Sequence, residues 1–183
     1  MSEEQHIHKK GKEAIVKFKQ LPWPEGISLE FGRSAGRGTR GEPDCYVTYQ
    51  EPNKTVVPVE IKRTKTGTSQ VRALDYHVTV VWQPCDDIYW VIPPHELIVY
   101  CSNFAGQHGE NPFECCNIGR PTDEWGDWKC NPQDVPNRIL EAHQAGQEAS
   151  SLKAIAEQIA EDVRKLAQKH KEDVRRCWGF MGG

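Results

Sequence analysis

The chain of 183 residues can hold one domain with a full hydrophobic core, but two such domains would be cramped. Hydrophobic residues make up 37% and charged residues 27%, a composition that excludes a disordered chain, and the net charge of -3 gives no global sign of a nucleic-acid binder. No apolar run reaches the roughly 18 residues of a membrane span, and the first residues lack the hydrophobic stretch of a signal peptide. We therefore expect a cytoplasmic protein that does not contact membranes.

The first third of the chain predicts one helix and three strands. Residues 9–20 place apolar side chains among lysines in the pattern of a short amphipathic helix that ends before Pro22. Residues 27–34 alternate as a strand does, and residues 44–50 and 55–63 are β-rich runs joined by the turn EPNK. The last two runs predict an antiparallel hairpin.

A helix, a strand and a second helix are predicted next. The helix begins at Ser69, with Val71 and Val78 at helical spacing, although VTVVW at the end of the segment prefers a strand. Residues 87–93 predict a buried strand, and residues 95–103 a short helix. The resulting order, α-β-β-β-α-β-α, predicts an α/β fold with a mixed sheet flanked by helices.

The remainder of the chain divides into an insertion and a helical extension. Residues 102–148 are predicted to begin as an irregular excursion packed by aromatic residues and to end in a helix over 132–146. From 149 to about 176 a long helix carries an apolar stripe, which either lies on the core or pairs with a second subunit. The predicted domain organisation is thus a core at 1–101, an insertion at 102–148 and a C-terminal helix at 149–183.

The seven cysteines are odd in number and scattered, and they include no CxxC pair, as expected of reduced thiols in a cytosolic protein. A zinc site can be drawn from one histidine and three cysteines, although their spacing matches no established ligand pattern. These residues are His108, Cys115, Cys116 and Cys130.

Charged residues inside the predicted hairpin point to a metal site. Side chains alternate faces along a strand, so Glu60 and Lys62 share one face, and Asp44 at the start of the neighbouring strand can reach the same end of the sheet. Two carboxylates with the backbone carbonyl of Ile61 form an oxygen cage suited to Mg²⁺, with Mn²⁺ as a substitute. A cross-strand ion pair between exposed side chains is the structural alternative.

Basic residues surround the hairpin, whereas acidic residues dominate from 86 to 148. This asymmetry is expected if one surface meets phosphate, although a solvated charged face has the same pattern. The glycine-rich segment SAGRGTRGEP has no helix or strand character. The candidate phosphate-binding residues here are Arg37, Arg40, Arg63 and Lys65.

The combination of Pro43-Asp44 before one strand, Glu60-x-Lys62 in the next and a basic glycine-rich loop before them resembles the PD-(D/E)XK nuclease superfamily. The likeness covers roughly residues 9–98 and implies the restriction-endonuclease-like αβββαβ core. Within the superfamily, the segments EGISLEFGRSAGRGTRGEPD and VPVEIKRTK are similar to the archaeal Holliday-junction resolvases. Restriction and intron-homing endonucleases share the same layout.

The resemblance implies roles for individual residues. Asp44 and Glu60 would be metal ligands together with the Ile61 carbonyl, and Lys62 would position or activate the attacking water. Other residues match superfamily positions that complete the metal environment, follow the lysine strand or touch the scissile backbone. These are Glu13, Gln70, Arg33 and Ser34.

The expected function is a Mg²⁺-dependent DNA endonuclease, acting as a homodimer because cutting two strands needs two sites. The insertion at 102–148 favours a site-specific restriction or homing type, because readers of base edges need added elements. A structure-selective Holliday-junction resolvase is the first alternative. A non-catalytic nucleic-acid-binding module and an interaction protein built on the C-terminal helix are alternatives of other classes. The candidate base readers are Asn103, Gln107, Asn111, Asn117, Arg120 and Lys129.

Overall fold

The computed structural model describes residues 3–32, 41–64, 69–103, 113, 116–118 and 123–180. Within these ranges a six-stranded mixed sheet is flanked by helices. The elements up to residue 102 are α1 (Glu3–Lys19), β1 (Ile27–Phe31), β2 (Cys45–Tyr49), β3 (Thr55–Arg63), β4 (Ser69–Val71), a 3-10 helix (Ala73–Asp75), β5 (Val78–Gln83), β6 (Ile88–Ile92) and α2 (Pro94–Ser102). They are followed by β7 (Cys116–Ile118), a second 3-10 helix (Asp123–Trp128), β8 (Lys129–Cys130), α3 (Val135–Glu148) and α4 (Ser151–Phe180).

The main sheet has the strand order β1-β2-β3-β5-β6-β8. Strands β1, β2 and β3 form an antiparallel meander, β5 lies parallel to β3, and β6 and β8 continue antiparallel. A separate antiparallel pair joins β4 to β7. The predicted mixed α/β fold with a helix-flanked sheet is therefore confirmed.

The two faces of the sheet form two apolar cores. On the first face, alternate strand residues such as Val57 and Val80 pack against Phe18 of α1 and Ile139 of α3. On the second face, Val81 and its neighbours pack against α2, α4 and Trp125 of the second 3-10 helix. Every residue of β5 is buried because helices cover both faces there, and this accounts for the continuous apolar run VTVVW.

The helix predicted from Ser69 is wrong. Residues Ser69–Val71 form β4, which pairs with β7, and only the three residues Ala73–Asp75 are helical. Tyr76 then takes a left-handed conformation at φ 58°, which ends the turn and leads into β5. Pairing with a strand some 45 residues away stabilises the extended form of this segment, which is too short for a stable helix of its own.

The second half of the predicted insertion belongs to the core. β8 pairs with β6 at the edge of the main sheet, and α3 packs on the first face beside α1. The hydroxyl of Tyr49 on β2 donates a 2.5 Å hydrogen bond to the carbonyl of Pro136 at the start of α3. The predicted boundary at residue 101 therefore does not coincide with an edge of the packed core.

In the part of the chain that the structure describes, no helix is both long and apolar enough to cross a membrane.

Candidate functional site

Asp44 is held at the point where β2 begins. The antiparallel pairing of β2 with β3 starts with Cys45 opposite Val59, so Asp44, one residue earlier, lies opposite Glu60. The side chain of Asp44 is buried, and its Oδ2 accepts a hydrogen bond from the backbone N–H of Ile61 at 2.9 Å. The N–H and C=O of a strand residue point to the same side, so the Ile61 carbonyl also faces the side on which Asp44 lies.

Gly32 allows this arrangement. It follows β1, and its N–H donates to the carbonyl of Asp44 at 3.1 Å. A Cβ atom at position 32 would lie 2.6 Å from the carbonyl oxygen of Pro43. Cβ atoms in proteins essentially never come this close to another heavy atom. The end of β1 can therefore press against Pro43 and Asp44 only because residue 32 is glycine.

Glu60 and Lys62 lie side by side on the second face of the sheet. The Lys62 Nζ is 2.5 Å from the Glu60 Oε1, and both side chains are about four-fifths buried. Burial raises the pKa of Glu60, the charge and hydrogen bond of Lys62 lower it, and the charges of Asp44 and Asp75 raise it. The predicted group of Asp44, Glu60 and Lys62 thus lies together at neighbouring positions of two strands.

Three further residues lie near the group of Asp44, Glu60 and Lys62, and the sequence did not single them out for this site. Thr79 on β5 is buried and lies next to Glu60 in the parallel register. Asp75, in the first 3-10 helix, accepts a hydrogen bond from the N–H of Gly41 at 3.4 Å from its Oδ2. Burial lowers the pKa of His77. Among the nearby charges, those of Asp75 and Asp44 raise this pKa and that of Lys153 lowers it. A strand predicted at β5, parallel to β3, would have placed these residues near this group, but the sequence predicted a helix over the segment.

Glu13 lies on a different face. Its Oε2 is 3.3 Å from the Nε of Arg63, and the Arg63 side chain is 8% exposed. The Arg63 guanidinium also lies over the Trp82 ring at 5.8 Å. Arg63 alternates with Lys62 and faces α1, so the structure brings Glu13 to Arg63 instead of grouping it with Glu60 and Lys62.

The remaining predicted site residues have little or no described structure. Gln70 is described only through its backbone, which pairs with Asn117. The loop and linker residues Arg33, Ser34, Arg37, Arg40 and Lys65 lie outside the described residues.

Among the candidate base readers, Asn103 donates to the Val99 carbonyl at 3.4 Å, and the Lys129 Nζ lies 5.9 Å from the Trp90 ring centroid. Gln107, Asn111 and Arg120 lie outside the described residues, as do His108 and Cys115 of the candidate zinc site. Burial raises the pKa of Cys130 to about 12, so this thiol is neutral.

The site is an acidic centre whose negative charge is only partly balanced by a basic residue. The charges of Asp44 and Asp75 both act on the Glu60 carboxylate, and Lys62 supplies one opposing charge. Over the described residues, no three His, Cys, Asp or Glu side chains are close enough to hold a metal ion together. Any divalent cation here would rest on two carboxylates and a backbone carbonyl, a set that Mg²⁺ accepts when water and phosphate complete its shell.

Comparisons with protein-family models, with curated proteins and with solved structures give no match for this chain.

Proposed function

We propose that this protein is a Mg²⁺-dependent DNA endonuclease that hydrolyses phosphodiester bonds and leaves a 5′-phosphate. The observation that carries the proposal is the hydrogen bond from the Ile61 N–H to Asp44, because it ties one carboxylate to the backbone between Glu60 and Lys62. An ion pair between exposed side chains would explain Glu60 and Lys62, but it would not explain a buried aspartate bonded to the residue between them.

The topology supports a restriction-endonuclease-like fold of the PD-(D/E)XK type. Helix α1, the meander of β1, β2 and β3, and a β5 strand parallel to β3 fit the αβββαβ order that the sequence predicted. The connection between β3 and β5 departs from that order, because it contains a strand and a 3-10 turn where a helix was expected.

The donor set fits a hard divalent cation. Asp44, Glu60 and the Ile61 carbonyl would hold Mg²⁺, or Mn²⁺ in its place, and burial of the carboxylates leaves them little water to lose when a cation binds. The cation would supply charge stabilisation at the phosphate and would lower the pKa of a water molecule.

The residues of the chain have separate tasks in this proposal. The Ile61 N–H fixes the orientation of the Asp44 carboxylate. The charge and hydrogen bond of Lys62 oppose the rise that burial causes in the pKa of Glu60, and its ammonium is a hydrogen-bond donor for the attacking water or the scissile phosphate. Thr79 fills the site wall beside Glu60.

A site-specific restriction or homing endonuclease and a Holliday-junction resolvase both fit this centre. The resolvase gains support from the placement of β8 and α3 in the core, because that leaves less added chain for reading base edges. A homodimer would supply the two sites that cutting two strands requires.

The test is cleavage of plasmid DNA and of a four-way junction, each with Mg²⁺, with Mn²⁺ and with a chelator. We expect metal-dependent cleavage that Glu60→Gln and Lys62→Met each reduce by at least about a hundredfold. Glu30→Gln is the matched control, because Glu30 is an exposed carboxylate on β1. Undiminished cleavage by the Glu60 and Lys62 variants would refute the assigned roles, and tight DNA binding without cleavage under either metal would favour the non-catalytic module.

A further inference from the structure

Helix α4 is attached to the rest of the protein by its small side chains. Ala156 and Ala160 are 2% and 0% exposed and belong to the second core, and the Lys153 Nζ lies 5.4 Å from the Tyr76 ring centroid. The large apolar side chains of the same helix are left uncovered. Ile155 is 55% exposed and Leu166 is 68% exposed.

The second half of α4 has almost no cover. Among the described side chains from 164 to 175, only Ala167 is half-buried and the others are exposed. A helix of 30 residues is about 45 Å long, and isolated helical segments of this half's length are only marginally stable in water. The exposed half therefore needs a partner that contacts its apolar stripe.

The stripe has the spacing of a coiled coil. Its members recur at successive steps of 3, 4, 4, 3, 4 and 4 residues, an 11-residue repeat that keeps them on one side of the helix and is typical of right-handed coiled coils. They extend over two such repeats, from residue 152 to residue 174, or about six turns of helix. The members are Leu152, Ile155, Ile159, Val163, Leu166, His170 and Val174.

The charges of α4 favour a second copy of the same helix in the opposite direction. Residues 151–162 contain one basic and three acidic residues, a net charge of -2, whereas residues 163–180 contain six basic and two acidic residues, a net charge of +4 with His170 neutral. A parallel pair would place the two basic halves together, while an antiparallel pair places each acidic half against a basic half. We propose that α4 forms an antiparallel two-helix interface with α4 of a second copy of this chain.

Asp162 and Lys169 define the register of this interface. They are exposed and seven residues apart, about two turns of helix, so they lie on the same flank of the stripe. Residues on one flank meet their counterparts across an antiparallel pair, so Asp162 of each copy faces Lys169 of the other. Between these two contacts Leu166 of each copy packs against Val163 of the other. Ile159 of each copy packs against the C-terminal half of the other α4.

The first test is sedimentation equilibrium of the full chain without DNA or metal. We expect a dimer at micromolar concentration, with a dissociation constant that Leu166→Glu raises at least about tenfold. Ala154→Glu is the matched control, because Ala154 is exposed and lies on the opposite side of the helix. Circular dichroism checks that each variant keeps its fold. A monomeric wild-type chain, or a dimer unaffected by Leu166→Glu, overturns the proposal.

The second test addresses direction. Asp162→Lys and Lys169→Glu should each weaken the dimer by putting like charges opposite each other, and the double variant should restore it. Added salt should weaken the wild-type dimer, because it screens the attraction between unlike halves. A dimer that strengthens with salt, or a double variant no better than the single ones, overturns the antiparallel arrangement. The measurement does not involve cleavage, so its outcome is independent of the proposed nuclease activity.

Discussion

Asp44 and Ile61 are joined by a hydrogen bond that a regular β-ladder does not contain. If the ladder continued, Ile61 would face Pro43, but the Asp44 carboxylate takes the place of that partner. We expect Asp44→Ala to lower the free energy of unfolding by about 1–3 kcal/mol, because the buried Ile61 N–H loses its acceptor. Asp44→Asn keeps an acceptor and should cost less, as measured by urea unfolding.

The same pair of variants separates structure from chemistry. Both should abolish metal-dependent cleavage, since neither retains the carboxylate charge, although Asp44→Asn stays close to wild-type stability. Equal loss of stability in the two variants would show that the charge of Asp44, and not the acceptor for Ile61, is what the fold requires.

Gly32, which directly follows β1, is predicted to be required for the position of Asp44. In Gly32→Ala the new Cβ meets the Pro43 carbonyl at 2.6 Å, and a backbone atom cannot rotate away as a side chain can. We expect displacement of Asp44 and a loss of cleavage of at least about tenfold, since small misplacements at a reacting centre are costly. Gly126→Ala is the control, because nothing lies within 4 Å of a Cβ at that position. Wild-type cleavage by Gly32→Ala would contradict the close approach.

Lys62 is predicted to limit the rise in the pKa of Glu60. Burial raises the pKa of Glu60, and Lys62 is the main group that opposes this effect. In Lys62→Met the pKa of Glu60 should rise further, so that Glu60 becomes protonated at a higher pH than in the wild type. Lys62→Arg keeps the charge and should shift the pKa less. The measurement is a titration of the glutamate carboxyl carbons by NMR, and an unchanged Glu60 pKa in Lys62→Met would disprove the coupling.

How far the site could be predicted from sequence depends on the range of the interactions involved. The hairpin from Cys45 to Arg63 is decided by local features, namely the two-residue alternation and the turn between the strands. Those features were enough to place Asp44, Glu60 and Lys62 correctly relative to one another along the strands. Whether they act as a nuclease site stays a prediction.

The segment after the hairpin could not be predicted in this way. Val71 and Val78 have helical spacing, but β4 is stabilised by pairing with β7, and β5 by its position between β3 and β6. Such partners are distant in sequence and override local propensity. The two-residue strand β8 gives too short a pattern to detect, so the sequence placed the whole of α3 in an insertion and not in the core.

Glu13 and Arg63 are predicted to act on stability more than on cleavage. Arg63 is buried against Trp82, so Arg63→Ala should lose packing as well as charge and cost about 1–3 kcal/mol. Glu13 is half-exposed, so Glu13→Gln should cost no more than about 1 kcal/mol. Cleavage by Glu13→Gln should remain within about threefold of wild type, a change too small for a lost catalytic group. A loss like that of Glu60→Gln would show instead that Glu13 completes the metal environment.

His77 is predicted to make stability depend on pH. Burial lowers its pKa below the ordinary value of 6.5, so the folded protein binds fewer protons at this residue than the unfolded chain does. The stability that comes from neutral His77 is therefore present above about pH 6.5 and is lost as the pH falls through the folded pKa. The nearby charges of Asp75 and Asp44 reduce this effect, and that of Lys153 adds to it.

The measurement is urea unfolding on either side of that pH, for wild type and for His77→Gln. The wild type should lose stability on acidification, and His77→Gln should lose less, because its side chain does not titrate. His143 has a pKa lowered by burial in the same direction, so some loss remains in the variant. His170→Gln serves as the control, since His170 is exposed on α4. If His77→Gln and wild type lose equal stability, His77 is not buried in its neutral form, and the packing of the 3-10 turn against the Glu60 side of the sheet must be looser than described.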